Sequence, residues 1–232
     1  MEKEIETIYE DKNVVVIDKP YGLVVNRSNT YKGRTLQDIL CDRYPDCFGD
    51  TEDFEFVSRS GIVHRLDKNT SGVIVAAKNT ESFYFLQKQF KERKTYKKYV
   101  ALVHGRIEDE IVEINAPLGR NPKNPLKMAV VSGGRSALTV IEKIKTVELG
   151  GNFYTLVDVF PKTGRTHQIR VHLFAINHPV AGDEIYCAQN LLKSDFKLFS
   201  RMMLHAEILG FVSPTTGKFR RFRSPLPTEF KI

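Results

Sequence analysis

The chain has 232 residues, of which 41% are hydrophobic and 27% charged, and this length buries about 70% of the unfolded surface without help from disulfides or metals. Lys plus Arg exceed Asp plus Glu by 35 − 28 = 7, an excess that suits a polyanionic partner. No apolar run approaches the ~18 residues of a membrane span, and the start, MEKEIETIYEDKN, lacks the apolar core of a secretory signal, so a cytoplasmic protein with no membrane partner is expected.

The opening reads as strand, with the apolar run Val14-Val15-Val16-Ile17 stopping at the turn signal Asp18-Lys19-Pro20-Tyr21-Gly22. A second strand is expected over Leu23 to Val25. Thr35 ahead of Leu36, Ile39 and Leu40 predicts a short helix with a Thr cap that ends before Pro45. Cys41 to Ser60 mixes Pro, Gly, Asp and Ser without a period and is expected to be a surface loop. Residues 73–77, Val-Ile-Val-Ala-Ala, predict a strand buried on both faces, followed by an amphipathic helix from Asn79-Thr80 through Phe83, Leu86 and Phe90. Tyr99 to His104 resumes β character, residues 111–147 alternate strands with turns, and Phe153 to Phe160 is another strand. Thr166 to Ile176 passes from strand end to helix. Met203 to Phe211 and Phe219 to Phe222 supply two more strands, joined through Ser213-Pro214-Thr215-Thr216-Gly217.

Three stretches carry candidate chemistry. In Gly61-Ile62-Val63-His64-Arg65-Leu66-Asp67-Lys68-Asn69-Thr70-Ser71-Gly72, charged and small polar residues crowd between apolar strand material. Asp67, flanked by Arg65 and Lys68, is either an ionised carboxylate in a partly dry pocket, competent as a nucleophile, or the cap of its own turn. In Lys162-Thr163-Gly164-Arg165-Thr166-His167-Gln168-Ile169-Arg170-Val171-His172, the planar fork of Arg165 suits a buried carboxylate or a phosphate. In Lys97-Lys98-Tyr99-Val100-Ala101, Tyr99 either packs in the core or turns its ring toward a base.

Metal and cofactor signals are weak by comparison. His167 and His172 are five apart, where i, i+4 suits two ligands on one helix face, and His64, His172 and His205 read as hydrogen-bonded structural imidazoles. Cys41, Cys47 and Cys187 show no paired short spacing. Neither glycine-rich phosphate-loop pattern is present, so no nucleotide cofactor is indicated. Lys88, Lys91, Arg93, Lys94, Lys97 and Lys98 set six cations against one acid, Glu92, within eleven residues, which is either a solvated helix face or a polyanion contact.

Taken in order, these stretches resemble the RluA-type RNA pseudouridine synthase family over nearly the whole chain. Lys19-Pro20-Tyr21-Gly22 is similar to the family's early Lys-Pro-x-Gly segment, and His64-Arg65-Leu66-Asp67-Lys68-Asn69-Thr70-Ser71-Gly72 matches its HRLD-x-x-TSG signature. Lys97-x-Tyr99-x-Ala101 matches the tyrosine-bearing strand, and Gly164 to His172, His178-Pro179, Gly182-Asp183-x-x-Tyr186, Leu204-His205-Ala206 and Ser224-Pro225-Leu226-Pro227 match the later blocks.

The resemblance implies an α+β fold with a long mixed, mostly antiparallel sheet flanked by helices and loops around a central RNA-binding cleft. It implies an isomerase that converts uridines of rRNA and/or tRNA to pseudouridine, with no cofactor and no metal. Asp67 would be the nucleophile, Tyr99 would stack on the uracil and help move its C5 proton, and Arg165 would pair with Asp67. Arg65 would enter the RNA stack where the extruded uridine has left it. The expected RNA-contacting set is Arg65, His64, Lys88, Lys91, Arg93, Lys94, Lys97, Lys98 and Arg170. Residues 1–232 are expected to act as one catalytic domain, as a monomer, without the small N-terminal S4-type RNA-binding domain that many members carry. The alternative is a non-catalytic RNA-binding protein such as an RNA chaperone, which would have no need of Asp67.

Overall fold

The computed structural model describes residues 5–49 and 51–232, and the chain divides into two units. The first takes the chain through Tyr96 together with Ala206–Pro225, and the second takes Lys97–His205 with Leu226–Ile232. The charged start begins in residues 1–4, and the expected surface loop contains residue 50; those positions lie outside the described residues. Among the described residues no helix is long and apolar enough to cross a membrane.

The first unit is built on strands β1 (Glu6–Glu10), β2 (Val14–Lys19) and β3 (Ser71–Ala77), joined by the later strands β10 (Leu204–Val212) and β11 (Phe219–Arg223), in the order β1-β2-β3-β10 with β11 on β10. β1 with β2, β2 with β3 and β10 with β11 pair antiparallel. Every residue of β3 is buried, as a strand covered on both faces requires. Its Val73, Val75 and Ala77 join Val14, Val16, Leu209, Phe211 and Phe222 in one apolar cluster.

α1 (Leu36–Arg43) starts from a capping box in which the Thr35 side chain accepts from the Asp38 N–H and the Asp38 carboxylate accepts from the Thr35 N–H. α4 (Thr80–Lys91) starts from Asn79, whose side chain accepts from Ser82, and buries Phe83 and Leu86. Two sequence expectations are corrected between them. The stretch read as a surface loop folds into α2 (Pro45–Gly49) and α3 (Phe54–Arg59), because Phe56 is fully buried and meets the rings of Phe48 and Phe83, with centroids 5.2 and 5.7 Å away. Helices this short leave too few residues for a readable period. Leu23 to Val25 belongs to no strand; its carbonyls at Val24 and Val25 accept from the Leu36 and Gln37 N–H groups instead, so it serves the start of α1.

The second unit contains β4 (Tyr96–His104), β5 (Ile111–Asn115), β6 (Leu118–Asn121), β7 (Asn124–Val130), β8 (Leu138–Leu149) and β9 (Asn152–Pro161), then α5 (Gln168–Ala175) and α6 (Gln189–Leu198). Its sheet runs β4-β9-β8-β5, while β6 and β7 form a separate two-stranded ribbon. β4 with β9, β8 with β9 and β5 with β8 all pair antiparallel. Val100 and Leu102 of β4 pack with Tyr154 and Leu156 of β9, Phe199 and Met203, so the alternate face of β4 carries Tyr99.

Candidate active site

Asp67 stands at the first position of a turn closed by its own carbonyl, which accepts from the Thr70 N–H at 3.1 Å. The turn is clamped from the Lys-Pro-Tyr-Gly segment. The Lys19 side chain is fully buried, and its ammonium donates to the carbonyls of Pro20 at 2.9 Å, Leu23 at 2.9 Å and Lys68 at 3.2 Å. An ammonium has three donors and no acceptor, so three converging carbonyls satisfy it. The Gly22 N–H adds a second bond to the Lys68 carbonyl at 2.8 Å. One peptide beyond the nucleophile candidate is thereby fixed by two donors from a distant segment, the Lys19 ammonium, 49 residues before Lys68, and the Gly22 N–H.

The end of the signature is fixed by close packing. Gly72 has φ +115°, and a Cβ there would lie 2.1 Å from the Ala206 carbonyl oxygen, so no other residue fits. Leu66 is buried, Asp67 is half-buried, and Arg65 and Lys68 are exposed, which places a carboxylate at the edge of the core between two cations. His64 serves the fold: its Nε2 accepts from the Val75 N–H at 3.1 Å and its ring stacks on Phe90 at 4.4 Å.

Arg165 is presented by a different device. The Gln168 side chain uses its whole hydrogen-bonding capacity, its oxygen accepting from the Thr163 hydroxyl at 2.6 Å and the Arg165 N–H at 3.0 Å. Its nitrogen donates to the Leu138 carbonyl and the Thr139 hydroxyl, both at 3.0 Å. Between them, His167 adopts the left-handed conformation at φ 54°, a placement that non-glycine residues adopt only when the surroundings enforce it, and its Nδ1 lies 3.0 Å from the Tyr186 hydroxyl. The half-buried Arg165 donates through Nε to the Ser136 carbonyl at 3.1 Å.

The network continues into α5. Thr139 accepts from Gln168 and donates to Nδ1 of His172 at 2.9 Å, while Nε2 of His172 donates to the Ala116 carbonyl at 3.0 Å. Burial holds the His172 pKa below its ordinary value, which favours the neutral imidazole that this chain of donors uses.

The expected RNA-contacting residues separate into three groups. Lys88, Lys91, Arg93 and Lys94 are exposed at the end of α4 and in the turn after it, with Lys94 paired to Glu92 at 2.7 Å. Lys97 and Lys98 are half-buried in β4, where Lys97 donates to the Thr163 carbonyl at 3.1 Å and Lys98 pairs with Asp158 at 2.9 Å. The run that looked continuous in sequence is thus broken by the change from turn to strand.

Arg170 requires a correction. It is 4% exposed and forms a two-pronged ion pair with the fully buried Asp183, both bonds 2.7 Å. A guanidinium whose fork is closed on a carboxylate in the interior has no face for a phosphate, so Arg170 holds α5 to the Gly182-Asp183 turn. Asp183, Gln168 and Lys19 are the positioning residues that sequence reasoning left without a role. A signal was present in each motif, but the partners lie far along the chain.

A buried group that could in principle hold a metal combines His104, Cys187 and Asp195, whose ligand atoms lie within 4.8 Å of one another. Asp195 already accepts from His104 at 2.9 Å, the Tyr154 hydroxyl at 2.9 Å and the Gly182 N–H at 2.8 Å. The Cys187 thiol donates to the Val180 carbonyl at 3.0 Å, and burial pushes it up to about 12. An ion here would have to break these bonds and ionise a disfavoured thiol, so the group reads as a structural network.

Comparison with known proteins agrees with the motif order. Residues 13–175 match the family model described as RNA pseudouridylate synthase. The chain is 37% identical over 229 residues to the uncharacterized RNA pseudouridine synthase YlyB of Bacillus subtilis, covering 97% of this chain and 70% of that protein. It is 38% identical over 231 residues to ribosomal large subunit pseudouridine synthase D of Nitrosomonas europaea, covering 97% and 63%. This chain therefore spans about two thirds of the length of these relatives. Among solved structures, human RNA pseudouridylate synthase domain containing 1 superposes with a TM-score of 0.77 at 30% identity, over 98% of this chain and 87% of that one. The α+β fold, the motifs and the relatives converge, and the chain belongs to the RNA pseudouridylate synthase family, isomerases that act on RNA.

Proposed function

We propose that this chain isomerises uridine to pseudouridine within RNA, with Asp67 as the nucleophile. The observation that carries the reading is the Asp67 turn itself: a half-buried carboxylate between two exposed cations, on a turn whose next peptide is clamped by Lys19 and Gly22. A turn held this rigidly suits a group that must meet a sugar carbon in one orientation. In the reaction the bond from N1 to C1′ breaks, the uracil turns, and a bond from C5 to C1′ forms. The C5 hydrogen leaves as a proton and N1 takes one up, so no oxidant, phosphoryl donor or metal is needed for balance.

By the motif match, Tyr99 stacks on the uracil and helps move the C5 proton, Arg165 is the third catalytic residue, and Arg65 fills the stack that the flipped uridine leaves. Lys88, Lys91, Arg93 and Lys94 meet RNA phosphates, a contact that salt weakens. Ribosomal RNA is the first substrate to offer, in line with the name of the Nitrosomonas relative, and transfer RNA the second. The protein acts in the cytoplasm as a monomer, with residues 1–232 as one catalytic domain.

The test is tritium release from unmodified RNA carrying 5-³H-uridine. The wild type is expected to release tritium without free uracil, and Asp67→Asn to fall to background while keeping its RNA affinity. Undiminished release by Asp67→Asn would overturn the assignment.

A further inference from the structure

The first unit carries a second concentration of cations that the motifs do not include. Residues 218–223, Lys-Phe-Arg-Arg-Phe-Arg, place four cations in six residues with no acid among them. β11 alternates its faces, and the two faces do different things. On one, Arg220 lies over the ring of Tyr9 at 4.2 Å, and Phe222 is buried in the core. On the other, Phe219 is 48% exposed, Arg221 is exposed and lies over the Tyr96 ring at 4.4 Å, and Arg223 is paired with the buried Glu207.

Phe219, Tyr96 and Arg221 converge above Gly210 of β10. A Cβ at Gly210 would lie 2.7 Å from Phe219, 3.1 Å from Tyr96 and 3.2 Å from Arg221, so the missing side chain is what lets the three lie together against the strand.

The exposed cations after α4 are tied to this same ribbon. The Gln89 side chain donates to the Val212 carbonyl at 3.0 Å and accepts from the Val212 N–H at 2.8 Å, as a further strand would. The Gln89 carbonyl accepts from the Lys94 N–H at 2.9 Å, and Val212 is paired with Phe219. One glutamine therefore joins the turn bearing Lys91, Arg93 and Lys94 to the start of β11.

We propose that this ribbon and turn form a docking surface for single-stranded RNA outside the catalytic turn, with Phe219 and the Arg221–Tyr96 stack taking unpaired bases. Lys91, Arg93 and Lys94 take the flanking phosphates. The proposal rests on the reading of RNA as the substrate and extends it to a surface that no motif marks. Aromatic rings and stacked guanidinium planes beside a cationic track are what single strands bind. An acidic peptide would satisfy the cations but leave the ring of Phe219 and the outer face of the Arg221 guanidinium with nothing to stack on.

The test compares wild type, Phe219→Ala, Arg221→Ala and the double variant by anisotropy of a fluorescent oligouridylate of about 12 nucleotides, titrated in salt from about 50 to 200 mM. Phe219→Ala is expected to weaken binding roughly tenfold with the salt slope kept. Arg221→Ala is expected to weaken it and to lower the slope by about one. On ribosomal transcripts the loss should fall on KM rather than kcat. Binding and slopes within twofold of wild type for the double variant, with thermal melting confirming that it is folded, would overturn the surface. Loss of binding in the variants alongside a wild type that releases no tritium would support the surface and count against the catalytic reading alone.

Discussion

The turns carrying Asp67 and Arg165 are each held by one buried side chain, yet Lys19 does this with a full charge and Gln168 with a neutral amide. The difference follows from what converges on each. The Lys19 ammonium meets the carbonyls of Pro20, Leu23 and Lys68, which call for a pure donor. Around Gln168 there are donors on one side, Thr163 and the Arg165 N–H, and acceptors on the other, Leu138 and Thr139, so the hub must do both. A charged hub makes stronger bonds but leaves more behind when it is removed.

Three substitutions should break or sharpen that contrast. The largest effect is expected from Lys19→Met, which keeps the volume but removes the ammonium from the carbonyls of Pro20 and Leu23 and leaves that of Lys68 to the Gly22 N–H alone. Unfolding in urea should show a loss of about 3 kcal/mol, and tritium release should fall with it as the peptide after Asp67 loosens. A variant as stable and active as wild type would show that the clamp is incidental. Gln168→Leu should lose about 2 kcal/mol, with activity reduced more than Thr163→Val reduces it, because the Arg165 N–H is then also left without its acceptor. Equal effects from the two variants would place the hub at Thr163.

The smallest effect belongs to a site that serves neither turn. At α1, burial alone would raise the Asp38 carboxyl, but bonds from Thr35 and Arg27 outweigh it and hold it at about 2, against an ordinary 3.8. Asp38→Ala should cost about 1 kcal/mol at neutral pH. A depressed carboxylate stabilises the fold above the unfolded pKa and ceases to do so as the group protonates. The gap between wild type and variant should therefore hold above about pH 4 and close as pH falls toward 2; a gap independent of pH would mean that the carboxylate's charge contributes nothing there.

Much of this was legible in one dimension. Val14 to Ile17, residues 73–77 and the helix from Asn79 announce themselves because burial on a strand or helix repeats over two to four residues, and the Thr35 cap and its Asp38 partner are three apart. Asp67, Tyr99 and Arg165 were singled out as candidates by motif pattern alone. What escaped was every assignment that depends on a distant partner. Arg170 looked like a phosphate ligand until Asp183, thirteen residues on, closed its fork. Lys97 and Lys98 looked like members of the exposed run until Thr163 and Asp158 engaged them. The segment from Cys41 to Ser60 looked irregular because Phe56, which also meets Phe48, folds it onto the distant Phe83.

By itself, the sequence determined the family and the order of the main elements, and it singled out the candidate residues of the Asp67 and Arg165 turns, since these are written in motifs and short periods. Tertiary structure alone decided which cations face solvent and which are locked inside, which buried side chain holds each turn, and that the turn after α4 meets the β11 ribbon through Gln89. Those outcomes turn on bonds that reach across the chain, 13 residues from Arg170 to Asp183, 49 from Lys19 to Lys68 and 123 from Gln89 to Val212, and partners at such separations leave no mark on the local pattern of either residue.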